Sequence, residues 1–332
     1  MTIPRSRYVQ EGKVGVYHCF SRCVRRAFLY GYDTRTGRDY THRKAWLVNR
    51  LRQLADIFAV EVCAYAVMEN HYHTILRTRP DIVDGWTDEE VARRWLTLFP
   101  RNKCLKGRRK LTIEEQIGAL VNYPEYIAMF RQRLSSLSWF MGRLNEYMAR
   151  AANKEDGVKG RFWESRFICK VLLDEAAIAS CMAYVDLNPI RAGGASTPEE
   201  SDFTSIQERI RAWGKKTENA DSWLCPIESE GGRQGILPMT AGEYFDLVDK
   251  SGRMIRSDKR GAIEADLRPI LVRIGVNPQA WMETVTTFGD RFSLVAGLAS
   301  NLRRYADELG RRWFKGVSAA QVAFALSPPQ LA

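Results

Sequence analysis

The chain has 332 residues, 45% hydrophobic and 27% charged, a composition that is typical of folded globular proteins and argues against wholesale disorder. Its length predicts two domains, or one domain with large insertions. We find no apolar run long enough to cross a bilayer and no apolar N-terminal signal segment, so we expect a cytoplasmic protein with no membrane partner. The seven cysteines form no C-x2-C pair, which excludes zinc-ribbon and thioredoxin motifs.

The positive charge is unevenly distributed. Residues 1–192 hold 32 Lys and Arg against 21 Asp and Glu, whereas residues 193–332 hold 18 of each, so the net charge of +11 lies in the first part. A basic segment joined to a neutral one favours a polyanion-binding module, with nucleic acid as one candidate partner. A basic solvated surface without a partner is the alternative.

The first predicted elements alternate between strand and helix. Residues 14–24 are rich in β-branched and aromatic side chains and predict a strand. Residues 42–58 carry apolar side chains at helical spacing, and residues 61–78 predict a β-hairpin. Prolines, an acidic stretch and the basic run 101–110 set off residues 80–126, which we predict to be a helical insertion with a basic loop.

A second helix and strand follow the insertion. We predict a helix over 127–153, a strand over 166–173, and a helix over 175–188 that Asp174 caps and an Asn-Pro dipeptide ends. The order of strands and helices predicts an α+β fold, a ferredoxin-like antiparallel sheet with helices on one face.

The remaining residues predict two further segments. We expect the sheet domain to span 1–193, and residues 194–239, rich in Gly, Ser, Pro and charge, to form a linker. Residues 240–332 predict a helical C-terminal domain of unknown role. Its predicted helices cover 241–250, 261–274, 278–286, 290–309 and 318–326.

Two of the four histidines form the motif His71-Tyr72-His73 on the second strand of the predicted hairpin. Side chains alternate along a strand, so both imidazoles point to the same face, roughly 6–7 Å apart at the backbone. Two imidazoles at that spacing can share one divalent metal ion. The alternative is a solvated or buried histidine pair with a structural role.

Four segments in chain order resemble motifs of the single-tyrosine HUH transposases, and in particular the REP-associated tyrosine transposases. The hairpin AYAVMENHYHTIL resembles the family's segment with two histidines around one bulky residue. Tyr17-His18 with Arg22 resembles its first strand. The other two matching segments are GRFWESRF (160–167) and YVDLNPIRA (184–192).

The resemblance implies a metal-dependent single-strand DNA endonuclease and strand transferase that works through a 5′-phosphotyrosine intermediate. It implies that Tyr184 is the nucleophile and that Asn188 joins His71 and His73 as the third metal ligand. Mg²⁺ or Mn²⁺ suits two imidazoles, an amide oxygen and phosphate oxygens. Tyr147, in LNEYMAR, is the rival nucleophile.

The expected partner is single-stranded DNA that carries hairpins, such as REP-like repeats, bound by a monomer or a homodimer. A domesticated, non-catalytic hairpin-binding protein is the alternative, and an RNA-binding ferredoxin-like domain is disfavoured because histidines stand where it would place aromatic residues. The resemblance explains neither the insertion nor the last 140 residues. The candidate DNA-contacting residues are Arg22, Arg25, Arg26, Arg161, Trp163 and Arg166.

Overall fold

A computed structural model describes residues 3–24, 30–34, 36–100, 111–214, 223–256 and 266–324. The strands are β1 (Gly15–Arg22), β2 (Tyr32–Asp33), β3 (Arg38–Asp39), β4 (Val60–Val67), β5 (His71–Thr78), β6 (Ile168–Leu172) and β7 (Val295–Ala296). The helices are α1 (His42–Ile57), α2 (Pro80–Val83), α3 (Asp88–Leu98), α4 (Ile113–Val121), α5 (Pro124–Leu134), α6 (Leu137–Glu155), α7 (Glu175–Asp186), α8 (Asn188–Arg191), α9 (Ser205–Gly214), α10 (Ala241–Arg256), α11 (Arg268–Arg273), α12 (Trp281–Arg291), α13 (Ala299–Glu308) and α14 (Val317–Ala323).

The main sheet has the strand order β4-β5-β1-β6-β7. Each adjacent pair among β4, β5, β1 and β6 is antiparallel. With α1 and α6, these strands follow the chain order β1-α1-β4-β5-α6-β6 of a ferredoxin-like unit. The predicted α+β class is confirmed. The sheet differs from a purely antiparallel one because β7, from the C-terminal region, pairs with β6 in parallel.

Helices cover both faces of this sheet. Neighbouring strand residues point to opposite faces. The Tyr72 hydroxyl donates to the Asn145 side chain of α6 at 2.6 Å, whereas the His73 ring lies 5.8 Å from the Tyr184 ring of α7. The pair α1 and α6 therefore forms the helical layer that the sequence predicts, and α7 adds a helix on the second face.

The predicted helix over 127–153 is wrong in one respect, because it is two helices, α5 and α6. Ser136 between them is extended, with φ −86° and ψ 124°. The carbonyl of Leu134 accepts a hydrogen bond from the backbone N–H of Ala59 at 2.9 Å, next to the start of β4. A carbonyl that bonds to the sheet end cannot continue the helical ladder, so α5 ends there.

The predicted helix over 290–309 is also wrong in its first third, where β7 forms. The edge of β6 needs hydrogen-bond partners, and the N–H groups of Val171 and Leu173 donate to Leu294 and Ala296 at 2.8 and 2.9 Å. Tertiary pairing thus overrides the local helical pattern. The other C-terminal helices overlap their predicted ranges within the described residues. Helices α10 and α12 extend beyond the predicted ends, whereas α11 begins only at Arg268 and α14 ends at Ala323.

Asp174 has two capping roles. Its Oδ1 accepts from the backbone N–H of Ala177 at 3.1 Å and caps α7, as the sequence predicts. Its Oδ2 accepts from the N–H of Leu298 at 2.7 Å and from the Asn301 amide at 2.8 Å. One carboxylate therefore fixes the start of α7 and the start of α13.

Helices α2, α3 and α4 confirm the helical insertion over 80–126, whereas the basic run 101–110 lies outside the described residues.

In the part of the chain that the structure describes, no helix has both the length and the apolar character that a bilayer crossing needs. The cysteines there are buried and free, and Cys104 lies outside it.

The segment predicted as a linker packs on the sheet domain. Helix α9 lies within it and packs on β4, and a buried network joins it to α7. The carboxylate of Asp186 accepts from the Ser205 hydroxyl and the Tyr244 hydroxyl, each at 2.6 Å, and from the N–H of Ile206 at 3.1 Å. Burial raises the pKa of Asp186. The boundaries at 193 and 239 stay predictions, but buried residues on both sides contact each other.

Replacing Tyr244 by Phe should lower the free energy of unfolding by about 1–3 kcal/mol, because the buried Asp186 carboxyl loses one donor that water cannot replace. Urea unfolding followed by circular dichroism measures the effect. The control is Tyr123→Phe, since Tyr123 is exposed. Equal midpoints for the two variants would contradict a stabilising role for this network.

Candidate active site

The two histidines of the His71-Tyr72-His73 motif lie side by side at the start of β5. Their ring centroids are 5.0 Å apart and their planes are nearly perpendicular, at 89°. Nδ1 of His71 contacts Oδ1 of Asn70 at 2.6 Å, and Nδ1 of His73 contacts Nε2 of the buried His18 at 2.9 Å. Because an amide oxygen only accepts, His71 donates through Nδ1 and keeps a lone pair at Nε2. When His73 donates in the same way, both histidines present Nε2 to a ligand.

Burial keeps these imidazoles neutral. Desolvation lowers the pKa of His71 to about 4 and the pKa of His18 to about 3, and it holds the pKa of His73 well below its usual value. Nearby cations act in the same direction, Arg22 on the pKa of His71 and Lys170 on the pKa values of His18 and His73. Neutral imidazole is the form that binds metal ions.

Helix α7 brings Tyr184 to this histidine cluster. The Tyr184 ring stands edge-on to His73, with centroids 5.8 Å apart, and edge-on to His18 at 6.0 Å. The ring is only partly buried. The Tyr184 phenol and the two imidazoles therefore lie on one face of the sheet, and the structure places the predicted nucleophile beside His73, one of the predicted metal ligands.

Two arginines give the site positive charge. Arg22 lies opposite His71 in the register of β1 and β5. The guanidinium carbon of Arg191 lies 4.5 Å from the centroid of the Tyr184 ring, and its Nη1 is buried without a hydrogen-bond partner among the described residues. An unpaired guanidinium N–H beside the Tyr184 ring is suited to bind a phosphate oxygen.

Asn188 is buried one helical turn after Tyr184. The predicted helix end needs a correction here, since α7 ends at Asp186 and the Asn-Pro dipeptide begins the further turn α8. Leu187 between them keeps near-helical angles, φ −82° and ψ −2°, so Tyr184 and Asn188 remain four residues apart on one helical path. The role of Asn188 as a metal ligand stays a prediction.

The donor set fits a divalent cation that takes mixed ligands. Among the described residues, no third His, Cys, Asp or Glu completes a group of three around His71 and His73. Two neutral imidazoles leave further coordination positions for an amide oxygen and for phosphate or water oxygens. This set suits Mn²⁺ or Mg²⁺ better than structural zinc, which has four protein ligands.

The C-terminal region forms one wall of the site. The buried Lys170 of β6 donates from Nζ to the carbonyls of Gly289 and Phe292 at the end of α12, each at 2.5 Å. Burial lowers the pKa of Lys170 to about 8. A Cβ built on Gly289 would lie 2.8 Å from the Tyr184 hydroxyl oxygen, so glycine leaves room for that hydroxyl. Lys170 thus fixes the helix end that contacts the Tyr184 hydroxyl.

The rival Tyr147 is not brought to the histidines. It lies on α6, the helix that covers the opposite face of the sheet, and is 40% exposed beside Arg50, whose guanidinium carbon is 5.1 Å from its ring. Trp163 is half-buried on that same face, where its indole N–H donates to the carbonyl of Asn145 at 2.9 Å and its ring meets the Tyr72 ring edge-on at 5.5 Å.

The other predicted DNA-contacting residues are spread around the sheet. Arg161 and Arg166 are exposed on the segment between α6 and β6. Arg25 and Arg26 lie outside the described residues. Of the four candidates that the structure describes, Arg22 alone lies next to the histidine pair, and the DNA-contacting roles of all six stay predictions.

Sequence reasoning missed Arg191, Lys170 and Gly289. Arg191 stands seven residues after Tyr184, and this two-turn spacing places both side chains on one helix face. The spacing could have revealed that Arg191 lies at the site. A lysine inside the apolar strand RFICKVLL is a second signal, since buried lysines are rare without partners. Gly289 gives no such signal, because its proximity to Tyr184 depends on tertiary packing.

No protein-family model matches this sequence, and no curated protein matches it. One similar structure is that of the REP-associated tyrosine transposase bound to a REP hairpin, with a TM-score of 0.38 and 14% sequence identity over 70% of this chain and 92% of that chain. At this level of similarity, a function has to be inferred from the side chains of the site itself.

Proposed function

We propose that this protein is a metal-dependent single-strand DNA endonuclease and strand transferase that uses Tyr184 as its nucleophile. The observation that carries the proposal is the placement of the Tyr184 ring against His73 on one face of the sheet, with the unpaired guanidinium N–H of Arg191 beside it. A hydroxyl, neutral imidazoles and free cations are the groups that phosphoryl transfer requires.

In the proposed step, the Tyr184 hydroxyl oxygen attacks the phosphorus of a DNA phosphodiester. A bond forms between that oxygen and phosphorus, and the bond from phosphorus to the 3′ oxygen breaks. The phenol loses one proton and the 3′ oxygen gains one. The products are a 5′-phosphotyrosine and a free 3′-hydroxyl, and Arg22 and Arg191 offset the charge on the phosphate oxygens during the transfer.

A tyrosine hydroxyl is a weak nucleophile at neutral pH, since its ordinary pKa is about 10. Nε2 of His71, Nε2 of His73 and the Asn188 amide oxygen would hold the Mg²⁺ or Mn²⁺ ion. When bound, such an ion polarises a phosphate oxygen. His18 orients the His73 ring through their 2.9 Å contact.

The phosphotyrosine bond conserves the energy of the broken phosphodiester, so a second 3′-hydroxyl can rejoin the strand without ATP. We propose single-stranded DNA with hairpins, such as REP-like repeats, as the substrate. This substrate rests on the four sequence segments that resemble REP-associated tyrosine transposases, two of which, around His71 and Tyr184, meet at the site.

The test incubates the protein with end-labelled single-stranded hairpins from the flanks of its own gene, with Mn²⁺, with Mg²⁺ and with EDTA. Products are separated on denaturing and native gels. We expect a slow-migrating protein–DNA adduct only in the metal-containing lanes. Hairpin retention on the native gel without adduct or cleavage would contradict the proposal and favour the non-catalytic hairpin-binding protein.

Gly289→Ala should slow cleavage by about 100-fold, because the new methyl group would lie 2.8 Å from the Tyr184 hydroxyl oxygen and the flexible tyrosine has to move. Single-turnover rates measure the effect. The matched control is Gly142→Ala, a helical position where a Cβ meets nothing within 4 Å. Equal rates for the two variants would mean that α12 does not position the hydroxyl.

A further inference from the structure

A cleft of about 800 Å³ opens beside the end of α12, between α13 and residues 312–319. Its lining is basic, with Arg291, Arg303, Arg312 and Lys315 against the single acid Asp307. The last 140 residues carry no net charge, whereas the cleft lining has four cations and one acid, a net charge of +3. A basic cleft in a neutral region favours an anionic ligand.

Several of these cations have no protein partner. Within the described residues, Arg303, Arg312 and Lys315 form no ion pair, and Arg291 pairs with Glu283 while its Nη1 remains buried and without a hydrogen bond. Buried guanidinium N–H groups without acceptors are rare, and a bound phosphate would satisfy them.

Trp313 stands in this cleft between Arg312 and Lys315 and is 67% exposed. An exposed indole with a cation on each side is the arrangement that stacks an unpaired base while the cations contact the neighbouring phosphates. Phe314 next to it is buried and contacts Tyr305, with ring centroids 6.0 Å apart, which anchors the segment that presents Trp313.

The cleft and the proposed active site share helix α12. Arg291 stands two residues after Gly289, which contacts the Tyr184 hydroxyl. Gly316 in the cleft lining packs against Phe292, whose carbonyl accepts from Lys170. Helix α12 therefore borders both the proposed active site and the cleft.

We propose that this cleft, lined by Arg291, Arg303, Arg312, Trp313 and Lys315, binds single-stranded DNA that flanks the hairpin. The Trp313 indole stacks on an unpaired base, and Arg312 and Lys315 bind phosphates. The inference rests on the proposed function for the identity of its ligand, but it requires no catalysis by Tyr184. It gives the C-terminal region a role in substrate binding.

Binding is measured by fluorescence anisotropy in EDTA, with a fluorescein-labelled hairpin that has or lacks a 15-nucleotide single-stranded tail. Trp313→Ala should weaken binding of the tailed hairpin by about tenfold, the loss of one stacked base, and leave the blunt hairpin unchanged. The matched control is Trp213→Ala, because Trp213 is a similarly exposed tryptophan, at 61%, on α9 and does not line the cleft. This variant should leave both affinities unchanged. Circular dichroism verifies that both variants fold.

For the tailed hairpin, log affinity should fall less steeply with log salt concentration in the double variant Arg312→Ala with Lys315→Ala. The magnitude of the slope should decrease by about 1.4, which is about 0.7 for each lost phosphate contact. Equal affinities of the Trp313 and Trp213 variants, or an unchanged salt slope, would overturn the proposal. The proposal would also be overturned if Trp313→Ala abolished binding of the protein to phosphatidylserine vesicles but left binding of the tailed hairpin intact. Tail binding without cleavage would refute only the catalytic proposal, and cleavage with no effect of Trp313 would refute only this one.

Discussion

Tyr184→Phe is expected to abolish DNA cleavage and covalent attachment while hairpin affinity stays within a few-fold of the original. The substitution removes only the hydroxyl oxygen and leaves the ring in contact with His73, His18 and Arg191. Without that oxygen no phosphotyrosine can form, so the adduct band should fall below detection, a loss of at least about 10³-fold. Denaturing gels quantify the adduct, and native gels quantify hairpin affinity.

Tyr147→Phe is the matched control, because Tyr147 is the rival nucleophile and lies on the opposite face of the sheet. It should retain full cleavage. Persistent adduct in Tyr184→Phe, or loss of adduct in Tyr147→Phe, would contradict the assignment of the nucleophile.

His71→Ala is expected to reduce cleavage by about 10²–10⁴-fold at low Mn²⁺ concentration and to shift the Mn²⁺ dependence to higher concentration. The variant loses one of two imidazole donors while His73 and its contact with His18 remain. His71 is the more exposed of the two histidines, so its removal should disturb packing less than removal of His73 would. Cleavage rates against Mn²⁺ concentration measure the shift, and loss of the free-ion electron paramagnetic resonance signal measures Mn²⁺ binding directly.

His42→Ala is the control for this titration, since His42 lies on α1 beside Glu155, at 2.6 Å, and away from the site. It should leave the Mn²⁺ curve in place. If His71→Ala gave the same Mn²⁺ curve as the original protein by both measurements, the metal site proposed on β5 would be wrong.

The sequence predicts the sheet and the histidine pair because both depend on local periodicity. Strand alternation places His71 and His73 on one face, and the helix cap at Asp174 is a local signal as well. The resemblance of the segment around Tyr184 to a known family predicted that Tyr184 acts together with these histidines. In these cases the residues that determine the structure are close in the chain or belong to a recognisable pattern.

The remaining features depend on contacts between distant segments. The break between α5 and α6 coincides with a hydrogen bond from Ala59, and β7 forms because the edge of β6 needs a partner. Gly289 reaches the Tyr184 hydroxyl only after the C-terminal region packs on α7. Local propensity carries no information about such contacts, so sequence reasoning treated this region as separate from the site.

Peptide mapping of the protein–DNA adduct tests the central claim most directly. The adduct, formed with Mn²⁺ and a short hairpin oligonucleotide, is digested with a nuclease and trypsin, and mass spectrometry locates the nucleotide-bearing residue. We expect a nucleotide attached through its 5′-phosphate to the Tyr184 oxygen. A nucleotide on Tyr147, on any other residue, or on none would contradict it.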